Sequence, residues 1–199
     1  MAGSLHFYSA DVPERRYVHV VLAVCAILLA YALGSITKTF SIQIPWWLDA
    51  PAVFGFYGIV YNLFNRSFWK SGIVRKALFL KIPILQGQYA GYLKSSHDKF
   101  KKKTKIEATV IQTWDRIMLS IETNQSKSHS VTAAFHISDR LAPQLIYYYC
   151  NTPFSASIQT MHIHKGIAEV SCEGETLKGE FFTGRDRKTF GEFTLIKKP

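Results

Sequence analysis

The chain has 199 residues, 48% of them apolar, and a formal net charge of +10, enough length for one modest domain with an appendage. The charge is not a nucleic-acid-type patch: residues 1–81 hold eight Lys/Arg against three Asp/Glu and residues 82–199 hold sixteen against eleven, a surplus of +5 in each part. Three cysteines, Cys25, Cys150 and Cys172, are odd in number and lack metal-like spacing, which leaves little to build a disulfide framework from and favours a reducing compartment.

Tyr17 to Ile36 contains no Lys, Arg, Asp or Glu. About twenty such residues at 1.5 Å rise cover the hydrocarbon of a bilayer, so residues 17–36 read as a transmembrane helix rather than a signal peptide. A second apolar stretch, Pro45 to Phe64 (residues 45–64), reads as another span, with Pro45 and Pro51 in a first turn and Trp46 and Trp47 at the membrane surface. Asp49 reads as an interfacial, hydrated residue. Ala26, Ala30 and Gly34 recur at four-residue spacing, and Ala52, Gly55 and Gly58 at three-residue spacing, which suits close helix packing within or between chains. The loop between the spans has only Lys38, whereas Arg15 and Arg16 precede the first span and Arg66, Lys70, Arg75, Lys76 and Lys81 follow the second. The positive-inside rule puts both termini in the cytoplasm. Residues 1–81 are therefore expected to form a membrane anchor.

After Pro83 the pattern changes to short alternating segments broken by "NQSKSHS", "SDRLAP", "CNTP", "CEGE" and "TGRDR". Eight strands are expected, beginning near Gly87, Lys105, Arg116, Ser130, Gln144, Met161, Thr176 and Thr189. Their spacing suits an antiparallel meander over residues 82–199. Closure into an eight-stranded, lipocalin-like barrel would remove exposed edges, with a β-sandwich as the competing arrangement. The lysine run "DKFKKKTK" reads as a solvated hairpin turn.

His162 and His164 form an H-x-H pair without an evident third ligand, and no nucleophile-elbow, metalloprotease, P-loop or dinucleotide signature occurs. No catalytic or metal site is expected. Tyr89, Trp114, Tyr147 and Tyr149 fall where alternation turns them toward one interior, and Arg185, Arg187 and Thr189 cluster at the mouth of the last strand. Stacking rings and phosphate-gripping guanidiniums are the parts of a nucleotide pocket. A carrier or sensor of an apolar small molecule, and a scaffold filled by its own side chains, remain open on the residues alone.

With two spans followed by a β-rich domain that opens on "GQYAGYL" and closes on "HKGIAEV" and "LKGEFFTGRDRKTFGEFTL", the chain resembles the two-transmembrane β-barrel effectors of bacterial cyclic-oligonucleotide anti-phage signalling (CBASS). The resemblance implies a cytoplasmic barrel that binds a cyclic dinucleotide made by a partner nucleotidyltransferase. It also implies self-assembly on binding, disruption of the inner membrane and death of the host cell, with no further cofactor. Tyr89, Arg185, Arg187 and Thr189 are the ligand contacts it implies, and Tyr89 stands where a tryptophan is more usual.

Overall fold

Along Thr104–Gln112 every second residue is buried, and Ile106, Ala108, Val110 and Gln112 face inward while their neighbours face water. This two-residue period is what one closed sheet around one interior imposes on each strand. The computed structural model describes residues 4–40, 46–138, 141–159, 161–184 and 188–199, with residues 46–52 described as backbone only. The chain divides into two units, Met1–Asp11 with Ile82–Pro199, and Val12–Lys81.

The first unit is a closed barrel. Its strands are β1 (His6–Ala10), β2 (Gly87–Ser95), β3 (Thr104–Gln112), β4 (Arg116–Glu122), β5 (Ser126–His136), β6 (Gln144–Pro153), β7 (His164–Glu173), β8 (Thr176–Thr183) and β9 (Phe190–Lys197). From β2 to β9 the chain is an antiparallel meander, and β9 closes it by pairing with β2, Gly91 opposite Leu195.

The expected eight antiparallel strands are corrected to nine with one parallel pairing. Near their shared turn β4 and β5 pair directly, Ser120 opposite His129. Beyond that pair β1 lies between them, antiparallel to β4 and parallel to β5, next to the point where the β5–β6 register shifts between Ser130 and Thr132. Ser130 sits at the fork: its Oγ accepts from the Leu119 N–H (2.9 Å) and lies 2.7 Å from His6 Nε2. Tyr8 is buried beyond it, donating to the Trp114 carbonyl (2.7 Å) and packing edge-on against Phe135 at 5.3 Å. The first eleven residues, expected in the anchor, thus group with the barrel because β1 is hydrogen-bonded into its sheet.

The second unit holds α1 (Glu14–Thr39), α2 (Trp46–Arg66) and α3 (Gly72–Ala77). Among the described residues, α1 is the helix long and apolar enough to cross a bilayer. It packs along α2 through a stripe of Val18, Leu22 and Ala26, which are buried, while Val20, Val24, Ile27 and Leu28 lie exposed around it. His19 lies 3.0 Å from the Tyr57 hydroxyl and stacks on Tyr61. Gly55 and Gly58 have open space where a side chain would stand, so their face of α2 is not spent on this packing. Asp49 and the tryptophans beside it lie outside the described side chains.

Candidate ligand-binding site in the barrel

The two ends of the barrel differ in chemistry. At the end where β2 begins and β3 finishes, the interior is filled. Tyr89 and Trp114 are buried there, and the Tyr89 hydroxyl donates to the Leu85 carbonyl at 2.8 Å. Buried Gln112 ties the incoming segment across this end, accepting from the Leu85 N–H (2.7 Å) and donating to the Pro83 carbonyl (3.0 Å). Burial pushes the Tyr89 hydroxyl up to about 12, with Cys172 and Glu175 adding to the effect, and burial pushes the Cys172 thiol up to about 12 as well. Both groups stay neutral at physiological pH. The barrel's covalent links to the rest of the chain, after β1 and before β2, leave from this same end.

At the other end lies a cavity of about 400 Å³. Tyr147, Tyr149, Phe181 and Phe193 wall it with rings; Ser126, Ser128 and Asn151 supply hydroxyl and amide groups; His97, Lys102 and His164 bring cationic or titratable nitrogens to it.

Glycine makes the room for the rings. Tyr149 lies opposite Gly166, and Phe181 opposite Gly191. A Cβ at Gly166 would stand 2.4 Å from the Tyr149 hydroxyl oxygen, and one at Gly191 would stand 2.5 Å from the Phe181 ring. Only a hydrogen lets each ring lie flat over the neighbouring strand.

Two polar groups in the wall are uncommitted. Burial, with Tyr149 close by, holds the Tyr147 hydroxyl far above the usual tyrosine range, and that hydroxyl has no hydrogen-bond partner among the described residues. Asn151 is 7% exposed, and its one described contact is from Nδ2 to Met161 Sδ at 3.6 Å.

The site residues expected from sequence are divided by this geometry. Tyr147 and Thr189 line the cavity. Tyr89 points inward on β2, as alternation requires, whereas Trp114, expected at the end of a strand, is buried from the turn between β3 and β4; both sit at the filled end and do not line the cavity. Arg185 and Arg187 lie outside the described residues. Two cavity-lining threonines are bonded to each other: the Thr189 N–H donates to Thr183 Oγ1 (2.8 Å) and the Thr183 N–H donates to the Thr189 carbonyl (2.8 Å). His162 precedes β7 instead of sharing a strand with His164, which accounts for the lack of a same-face pair. Among the described residues no group of three or more His, Cys, Asp or Glu is placed to hold a metal ion.

Several wall residues escape sequence reasoning. "DKFKKKTK" is more than a solvated turn, since Asp98 and Lys102 line the cavity and the Lys102 N–H donates to Asp98 Oδ2 at 3.1 Å. Ser126 and Ser128, expected in a turn, are strand residues facing inward. Their signal was the S-x-S spacing, which places alternate hydroxyls on one side of a strand.

Comparison with known proteins identifies this barrel. The family profile described as "Cap15, cyclic dinucleotide receptor domain" matches residues 80–197. The chain belongs to the Cap15 family. A second Cap15 profile, described as "TM helices", matches residues 17–70, so the helical unit is the membrane region of this Cap15 chain. A relative named CD-NTase-associated protein 15, from Yersinia aleksiciae, is 29% identical over 147 residues, covering 72% of this chain and 68% of that protein. As a Cap15 member the chain is a membrane-associated CBASS effector with a cyclic dinucleotide receptor domain.

Proposed function

We propose that the cyclic dinucleotide docks in the ring-walled cavity and that its capture gathers barrels, and with them their membrane helices, until the inner membrane fails. The observation that carries this is the pairing of four aromatic rings with a rim that holds Lys102, His97 and His164. Bases stack on rings, while cations hold phosphates through charge-assisted bonds. Arg185 and Arg187, the contacts that the family resemblance implies, supply the guanidiniums of the phosphate grip in this reading. The uncommitted Asn151 amide and Tyr147 hydroxyl suit the polar edge of a base.

The membrane segment crosses twice, through α1 and α2, with both termini in the cytoplasm, as the Lys/Arg distribution supports. The barrel is then exposed to a messenger released by a nucleotidyltransferase of the same defence system. The protein acts by binding and assembly and has no catalytic step of its own. Ligand that binds the assembled state more tightly than the dispersed one shifts the population toward assembly, and confinement in the bilayer raises the effective concentration of neighbours.

Calorimetric titration of the full chain in detergent with a panel of cyclic dinucleotides tests the docking step. At least one member should bind with Kd below about 100 μM, and Lys102→Ala or Arg187→Ala should weaken it by roughly tenfold or more. Absence of binding across the panel would remove the cavity as the receptor site. Dye leakage from vesicles carrying the chain, on addition of the same nucleotide, tests the membrane step separately.

A further inference from the structure

The segment that follows α2, Ser67 to Lys81, makes a single turn over Phe68–Lys70 and then the short helix α3. Within the helical unit it is tied back onto the start of α1. The Tyr17 hydroxyl donates to the Leu78 carbonyl, and the Lys81 N–H donates to Glu14 Oε1 at 2.8 Å. The segment thus bridges the C-terminal end of α2 and the N-terminal end of α1. Trp69 and Leu80 are buried in this arrangement, but three other large apolar side chains are not: Ile73 is 84% exposed, Phe79 80%, and Phe68 about half.

The close of α3 turns Phe79 outward. The Leu80 N–H returns to the Arg75 carbonyl (3.0 Å) and the Phe79 N–H to the Lys76 carbonyl (3.4 Å), the pair of bonds that ends a helix on a left-handed residue. Glycine usually takes that position; here it is Phe79, at φ 46°. A bulky residue held left-handed is strained, and strain kept on an exposed ring points to a use for that ring. Charge on the segment has one sign. Lys70, Arg75, Lys76 and Lys81 follow Arg66, and no Asp or Glu occurs from residue 50 to residue 97. Lys76 is exposed three residues after Ile73, on the same face of α3.

Exposed apolar side chains among cations, with no carboxylate, suit the boundary between acyl chains and anionic headgroups. We propose that Ser67–Lys81 lies in the interface of the bilayer that α1 enters, inserts Ile73 and Phe79 among the acyl chains, and draws anionic phospholipid headgroups to Lys76 and Arg66. Lipid is the occupant because the segment continues directly from the membrane helices, which brings acyl chains within reach. A second copy on the same surface would set cation against cation. The proposal holds whichever ligand fills the barrel cavity.

The test uses the full chain in phospholipid vesicles, with Cys25→Ser and Cys150→Ser removing the accessible thiols and a fluorescent dye on Ile73→Cys. Brominated phosphatidylglycerol and brominated phosphatidylcholine, at equal mole fraction in otherwise identical vesicles, report which lipid touches the dye. Quenching should favour phosphatidylglycerol by roughly fivefold. Lys76→Glu, and separately high salt, should bring the two lipids close to parity. Phe79→Gly, which suits the left-handed backbone, should reduce quenching by both lipids while keeping the parent's melting temperature in detergent. Equal quenching by the two lipids in the parent, or a preference that Lys76→Glu leaves intact, overturns the proposal. Quenching by iodide on both sides of the membrane, with none from lipid, would put the segment in water and overturn it. Protection from lipid and iodide alike would mean that protein covers the face, with the same result. A melting temperature lowered by Phe79→Gly with lipid quenching unchanged would make the ring a packing residue and also sink the idea. None of these readouts bears on nucleotide binding, which titration measures.

Discussion

Tyr149 and Gly166 face each other across two strands, and neither residue makes sense without the other. The ring occupies the volume that any side chain on residue 166 would claim, since a Cβ there falls 2.4 Å from the hydroxyl oxygen. A Cβ there would also stand 2.3 Å from the Phe182 carbonyl oxygen, so Gly166→Ala has to displace both the Tyr149 ring and the β8 backbone beside it. Overpacking of a wall typically costs about 1–3 kcal/mol, so the variant should melt earlier by differential scanning and bind nucleotide more weakly at the same time. A melting temperature lowered with affinity unchanged would place the ligand away from the Tyr149 wall. The same residue scale shows what a sequence can and cannot disclose. Alternation correctly points Tyr89 and Tyr147 inward, because the two-residue period decides inside from outside, while Trp114 is buried from the β3–β4 turn, where no such period applies. It says nothing about depth along the axis, and depth is what separates Tyr147 in the cavity wall from Tyr89 and Trp114 in the plug.

Elements were legible where their apolar pattern served packing alone. The strand Thr176–Thr183 has the limits read from its sequence, and the barrel closes as expected. β5 and β6 run further than their apolar residues suggest, to Ser126 and Pro153, because their ends line the cavity with Ser126, Ser128 and Asn151. A wall that must be polar on its inner side loses the hydrophobic alternation by which strands are found. β1 was invisible for another reason: "HFYSA" is five residues long and gains its meaning only from β4 and β5, more than a hundred residues away. Its importance can be measured. Tyr8 is 6% exposed, with its hydroxyl bonded to the Trp114 carbonyl and its ring against Phe135. Tyr8→Ala should destabilise the barrel by about 3–5 kcal/mol in denaturant titration, as for a large aromatic removed from a core. A change within experimental noise would mean that the strand is dispensable.

Ionisation of buried groups gives the whole barrel a directional dependence on pH. The folded state raises Cys172 from an ordinary 9.0 and Tyr89 from an ordinary 10.0, each to about 12, and holds Tyr147 higher still. Above pH 9 the unfolded chain releases protons that the folded chain retains, so stability falls as pH rises. The contribution is complete below about pH 9 and is lost on the way to 12. Denaturation midpoints of the full chain should accordingly be lower at pH 10.5 than at pH 8, and Tyr89→Phe should flatten that decline. A midpoint independent of pH over this interval would contradict the burial of all three groups.

The seam between β4 and β5 has a practical corollary for anyone wishing to handle the receptor without detergent. Cutting the polypeptide at residue 82 removes the stave that plugs that seam, leaving two unsatisfied edges ready to aggregate. Splicing residue 11 to residue 82 through a short flexible tether would instead discard both hydrophobic rods while retaining every stave, since both severed points lie on the sealed base of the cup.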